Sequence, residues 1–279
     1  MKLEVIGDSN KGRFDEGLAN QVNAEIEAQE RKKRLEEKLR KEPEVKKPNI
    51  QECEFDKSKF VLIEPNLNSH FNQPFYVAME RSRIGQNFYE ALDDLHNAGS
   101  FMLTPKLFVE YAYALYKGNN ETKRVYDGNG TRLSKDKILE LWSDLFVPKK
   151  DRSDKAEFLD TEFLFTLSGN INVLYRRFSS TNEQVVINEE LNSDTLLEGK
   201  LFGSGDGLDI RFWLENCTSQ GLPSKRLPKL PPILGYIPPR KGGVRVPIIY
   251  TQADELYLDC NSDPHNKSTV GVREAKLVK

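Results

Sequence analysis

Cys260 stands five residues before His265, the closest approach of a thiol and an imidazole along this chain. A thiol–base pair would do nucleophilic or oxidative chemistry. Pro264 lies between the two and breaks any helical spacing, so a packed thiol is the stronger reading. Other reactive groups are more scattered. His70 and His96 have no cysteine or carboxylate at metal-ligand spacing, and no HExxH, CxxC or GxSxG occurs. Cys53, Cys217 and Cys260 are far apart and odd in number, which gives neither a disulfide framework nor a zinc pair. Gly203, Gly205 and Gly207 fit no phosphate-binding pattern and read as a turn. Asp160, within Phe158-Leu159-Asp160-Thr161, has the most apolar setting of the acids, but an Asp there more often orders a turn. These residues predict no catalytic group, no metal and no cofactor.

The stretch from Tyr250 to Ser268 offers binding chemistry instead. Leu256, Leu258 and Cys260 alternate and point to one face of a strand; Glu255, Tyr257 and Asp259 point to the other. A polar run from Asn261 follows. Tyrosine gives contact area at low entropy cost, and short polar side chains give adaptable hydrogen bonds. The plainer reading of the same residues is the solvated face of an edge hairpin.

The elements that must position these residues fall into three parts. Residues 1–47 read as a charged helical arm, with Leu18, Val22, Ile26, Leu35 and Leu39 as a thin apolar stripe over 13–42. From Glu27 to Lys47, 15 of 21 residues are charged in mixed sign, with Glu30–Arg34 and Glu37–Lys41 as supporting pairs. This segment is either a solvated arm or an oligomerising, partner-docking helix. Residues 48–74 read as a linker with one short strand at Phe60–Ile63. The globular part spans 75–279. Within it the spacing predicts helices over 88–97, from Thr104-Pro105 to Gly118, from Ser134 to Pro148, and over 208–216. Strands follow over 158–167, 171–178, 185–187 and 244–278, and the Pro- and Gly-rich residues 221–243 read as irregular. Helices first and strands after predict an α+β domain.

Composition sets outer bounds. Net charge is −2 with a pI near 6.1, so no global basic excess supports nucleic-acid binding. No apolar run reaches membrane-helix length, and Met1 to Asp8 lack the apolar core of a signal peptide. The expected location is the cytosol or a particle assembled there.

One series of blocks carries a resemblance. It runs Phe75-Tyr76-Val77-Ala78, Asn87-Phe88-Tyr89-Glu90-Ala91, Met102-Leu103-Thr104-Pro105, Phe108-Val109-Glu110-Tyr111 and Ala156-Glu157-Phe158-Leu159-Asp160. It continues with Trp213-Leu214-Glu215-Asn216-Cys217-Thr218-Ser219-Gln220-Gly221-Leu222-Pro223 and closes with Leu256, Leu258, Cys260, Pro264, Ser268 and Gly271-Val272-Arg273. This resembles a family of uncharacterised archaeal and phage-like proteins. Their C-terminal part is similar to the C-type-lectin fold shared with formylglycine-generating enzymes. Some relatives are the variable products of diversity-generating retroelements. The resemblance implies two packed helices on a twisted antiparallel sheet with much irregular loop, over about residues 75–279. It implies a ligand-binding surface at Tyr250, Gln252, Asp254, Glu255, Tyr257, Asp259, Asn261, Asp263, His265 and Asn266. Adenine-directed variation does not reach Gln252, Glu255 or Lys267, which must be constant or arise otherwise. The paired active-site cysteines of the enzymes have no counterpart. Trp213, Gly221, Gly271 and Arg273 fit scaffold roles, Gly271 through a close backbone approach or a positive φ. Arg273 would be a buried arginine tied to a carboxylate such as Asp160 or Glu157.

The expected function is therefore non-enzymatic recognition of a protein or cell-surface ligand. The alternatives are a structural virion or assembly protein, oligomeric through residues 13–42, and a formylglycine-generating-type oxidase using Cys260.

Overall fold

The computed structural model describes residues 55–65, 73–146, 156–166, 168–178, 184–197, 210–225, 235–240, 242–252, 255–266 and 270–278. The charged arm, Cys53, the Gly203–Gly207 turn and Asp254 lie outside the described residues.

Local chemistry fixes the helices. α1 (Phe88–Asn97) starts from a reciprocal cap: the Asn87 side chain accepts from the Glu90 amide at 2.9 Å, and the Glu90 carboxylate accepts from the Asn87 amide at 3.1 Å. Its buried stripe is Phe88, Ala91, Leu92 and Leu95. α2 (Pro105–Asn119) starts at Thr104, whose hydroxyl accepts from the Leu107 amide, with Pro105 in the first turn. α3 (Lys135–Phe146) follows Ser134, whose hydroxyl accepts from the Lys137 amide at 3.2 Å. α4 (Ile210–Asn216) buries Ile210, Trp213 and Leu214.

Among the described residues twelve strands accompany them: β1 (Phe60–Ile63), β2 (Phe75–Ser82), β3 (Phe101–Met102), β4 (Tyr126–Asp127), β5 (Ala156–Phe158), β6 (Glu162–Phe165), β7 (Ile171–Phe178), β8 (Gln184–Glu190), β9 (Gly235–Ile237), β10 (Val246–Gln252), β11 (Glu255–Ser262) and β12 (Val270–Leu277). Nine of them join in one mixed sheet, ordered β4-β1-β2-β12-β5-β10-β11-β9, with β3 paired to β12. The β12–β5 and β11–β9 pairs run parallel. Strands β6, β7 and β8 form a separate antiparallel sheet, tied to the first where the backbones of Phe163 and Arg245 exchange hydrogen bonds.

The period-two alternation of each strand divides the core between the two faces of the large sheet. Val61, Phe75, Val77, Ile249, Leu258 and Ala275 face α2, α3 and α4 in one cluster. Met102, Ala156, Phe158, Val246, Val270 and Val272 face α1 in another. Helices therefore cover both sides.

This overturns the expected two helices on an antiparallel, C-type-lectin-like sheet. Strand outweighs helix, the large sheet is mixed, and four helices lie among the described residues. The physical reason is that periodicity reports which face a residue buries, not which strand it pairs with. β5 and β12 meet in parallel across more than a hundred residues of chain, and nothing local marks that. β3 and β4 are two residues long, below any readable period. Strands also precede the helices: Phe60–Ile63, expected as a strand of the linker, is β1 of the main sheet.

Candidate ligand-binding face

The β10–β11 hairpin carries the residues singled out for binding. Leu256, Leu258 and Cys260 are buried against the α2 side. The opposite face presents Ile248, Tyr250, Tyr257 and Asp259, since Tyr250 pairs with Tyr257 and Ile248 with Asp259. Directly opposed residues share a face, and the two tyrosine rings stack with centroids 5.3 Å apart and planes at 14°. Both are half-buried. Tyr250 also rests on the apolar cluster beneath α1. Burial, and then the charge of Asp259, pushes the Tyr250 phenol up. α1 itself makes its sheet contacts mainly with β3 and β12, so the tyrosine pair lies to one side of it, toward the β9 edge.

Asp259 is held in place. Its carboxylate accepts from the Asn261 amide at 2.7 Å and from the Ser262 hydroxyl at 3.4 Å. Burial pushes its proton affinity up, while those two bonds and the charges of Arg240 and Arg245 oppose the rise.

Gln252 pairs with Glu255 as the next same-face pair along the hairpin from Tyr250 and Tyr257. The predicted residues beyond β11 do not join this patch. Asp263, His265 and Asn266 form a turn beyond the other end of β11, about 20 Å from Tyr257 at strand spacing. There the His265 amide donates to Asp263 at 2.8 Å, and Phe88 donates to the Pro264 carbonyl at 3.0 Å. The His265 ring tilts against Tyr89 at 5.3 Å. Asn261 lies between the two patches, with Oδ1 buried and no hydrogen-bond partner.

The thiol and imidazole of the opening candidate pair are separated. Cys260 is fully buried in the α2-side core, where burial pushes its thiol well up; His265 is exposed on the α1 side.

Two buried ion clusters occupy the places where a catalytic acid would be sought. Arg176 donates to Asp160 at 2.6 Å and to Glu162 at 3.1 Å, and Tyr89 donates to the second Glu162 oxygen at 3.1 Å. One cation thus serves two buried carboxylates. Burial pushes Asp160 up to about 6 against the pull of Arg176. Both Asp160 oxygens bond Arg176, through its guanidinium and its backbone amide, and the residue is 1% exposed. The arrangement welds β7 to the turn after β5 and leaves no room for a substrate.

It also makes a pH prediction. An unfolded Asp titrates near about 3.9. The folded protein keeps a proton that the unfolded chain releases between about pH 4 and 6. This contribution to stability is full at the acid end and falls as pH rises to about 6, by on the order of 2–3 kcal/mol. In urea titrations from about pH 4.5 to 7, the wild type should lose stability relative to Asp160→Asn. Parallel profiles for the two would show that Asp160 stays ionised.

The second cluster holds Arg273, 1% exposed. Its Nε donates to Glu157 at 3.2 Å, one terminal nitrogen to the Met79 carbonyl at 2.6 Å, and the other to Asp144 at 3.3 Å. The guanidinium lies 5.5 Å from the Tyr111 ring centroid. Burial alone would weaken its charge, but Glu157 and Tyr111 outweigh that and the guanidinium holds its proton more tightly than usual. Of the other predicted scaffold residues, Trp213 is fully buried and donates to the Gly221 carbonyl at 3.0 Å. Gly221 takes φ +82°. Gly271 packs so that an added Cβ would lie 3.0 Å from the Ser82 carbonyl.

Among the described residues no three His, Cys, Asp or Glu side chains are placed to hold a metal. No helix there is long and apolar enough to cross a membrane. No family model, curated protein or solved structure matches the chain.

Proposed function

We propose that this protein is a non-enzymatic binding module that recognises a protein or cell-surface ligand on the Tyr250–Tyr257 face of its β10–β11 hairpin. The observation that carries this is the stacked tyrosine pair, half-buried on a rigid sheet beside the cover of α1. Ring stacking and the paired strands fix both tyrosines before any ligand arrives, which lowers the entropy cost of binding. Tyrosine and arginine are the side chains most often found as energetic anchors of interfaces. The reactive groups of the chain support the same reading. Asp160 and Glu157 are committed to arginines, and Cys260 is sealed in the core.

The test is a screen of the full chain against arrayed peptides and glycans, repeated with Tyr250→Ala/Tyr257→Ala. Ligands held by the wild type should weaken about 30-fold or more in the double variant, the usual cost of losing interface anchors. Circular dichroism and a thermal melt show that the variant remains folded. Equal binding by both proteins would move recognition elsewhere. A His265→Ala variant, altered only in the distant turn, should keep its affinity.

A further inference from the structure

We infer that this face takes the arginine side chain of a basic peptide segment, its guanidinium stacked on the Tyr250–Tyr257 pair and forked to the Asp259 carboxylate. The inference rests on the recognition face proposed above and names the ligand chemistry that face takes.

The strand register places the three groups. Asp259 follows Tyr257 by two residues on β11, so both project from one side of the sheet, about 7 Å apart. Tyr250 lies directly across from Tyr257 and diagonally from Asp259. The charge of Asp259 is felt at the Tyr250 phenol, in keeping with that diagonal. All three residues are half-buried, so each keeps surface for a ligand. The bonds from Asn261 and Ser262 fix the carboxylate, one on each oxygen, and each oxygen has a further lone pair to accept with.

The face is acidic by position. Glu255, two residues before Tyr257, falls on the same side by alternation. The strand neighbours on that side are Ile248, Phe158 and Ala156 toward β5, and Gly235 and Ile237 on β9. None of these five is charged. Cations stand elsewhere. Alternation turns Arg245 away from the side of Val246, which packs beneath α1, and Arg240 is exposed beyond β9. Their charges act on Asp259 less than its burial and its two bonds do. Acids beside a flat aromatic pair match one ligand group in both charge and shape. A guanidinium is planar, sits over a tyrosine ring within about 6 Å of its centre and forks to a carboxylate. An ammonium lacks the plane and the fork, and an anionic ligand would be repelled.

The probe is a fluorescently labelled peptide of repeated arginine, glycine and serine, titrated with the full chain and read by anisotropy. Peptides with lysine or glutamate in place of arginine are the comparisons. The wild type should bind the arginine peptide, bind the lysine peptide more weakly and leave the glutamate peptide free. Asp259→Asn keeps an acceptor for the Asn261 amide and loses only the charge. It should weaken binding at least about tenfold, the usual effect of losing a charge-assisted bond. Asp136→Asn removes an equal charge from an exposed position on α3, on the other side of the sheet, and should bind like the wild type. The inference is overturned if the wild type does not bind the arginine peptide, if the lysine peptide binds as tightly, or if the two charge variants weaken binding equally. Binding lost in Asp259→Asn but kept in Tyr250→Ala/Tyr257→Ala would also overturn it, since the rings would then carry none of the contact. If arrayed ligands depend on Tyr250 and Tyr257 while the arginine peptide goes unbound, the recognition face stands and this inference alone falls.

Discussion

Glu157→Ala should cost the fold about 3–5 kcal/mol, because it leaves the Arg273 charge buried without its closest counter-ion. Both side chains are almost fully enclosed, at 3% and 1% exposure, so water cannot replace the lost carboxylate. Asp144 stays within 3.3 Å, but it is partly exposed and is shared with Arg81 at 3.8 Å. The pair joins β5 to β12 across the parallel seam of the sheet, where Gly271 sits opposite Glu157. Loss of the pair therefore loosens the middle of the molecule rather than its rim. Urea denaturation measures the effect, and a loss below about 1 kcal/mol would place the pair among ion pairs of little net worth. A second variant separates the charge from the shape. Glu157→Leu/Arg273→Met removes both charges, and it should regain more than half of the lost stability.

Gly221→Ala should cost a comparable amount, roughly 3–5 kcal/mol, through backbone collision and strain together. Gly221 has φ +82°, a conformation that side chains rarely adopt. An added Cβ would also collide with the backbone of Pro105 and Lys106, lying 2.5 Å from the Lys106 Cα. Neither partner is the tip of a flexible side chain. The neighbouring Gly221 carbonyl accepts the buried Trp213 indole, and Trp213 lies against Phe108 of α2 with ring centroids 6.4 Å apart. A shifted loop would therefore disturb the packing of α2 and α4 together. A thermal melt of Gly221→Ala beside Gly243→Ala gives the comparison. Gly243 also has a positive φ but meets nothing within 4 Å, so its loss should be the strain alone. Equal losses at the two sites would show that the α2 contact carries no weight.

The helices were legible because their signals are local. Thr104-Pro105 and Ser134 each accept an amide hydrogen bond in the first turn they were expected to start. The alternation of Leu256, Leu258 and Cys260 placed the buried and outer faces of β11 for the same reason. What a strand pairs with is a long-range property. Neither parallel pair leaves a mark in sequence, and β9 lay hidden in residues 221–243, where Pro and Gly outweigh its three strand residues. Spacing also spread the ligand-binding candidates over a single surface, whereas the length of β11 divides them between the tyrosine pair and the His265 turn. Gly271 left two conformations open, and the near contact with Ser82 selects the close approach.

β12 follows every other strand in the chain, yet it lies between β2 and β5 in the sheet and also pairs with β3. As the polypeptide leaves the ribosome, β2 and β5 emerge with their inner edges open and stay so until residues 270–277 arrive. Until then the nascent protein exposes strand edges able to pair with a neighbouring chain. Closure then needs contacts between residues some two hundred positions apart, such as Ala275 with Val77, and such long loops slow the search. Folding should therefore be a late and cooperative event, and the period of synthesis before β12 emerges is when this chain most needs a chaperone.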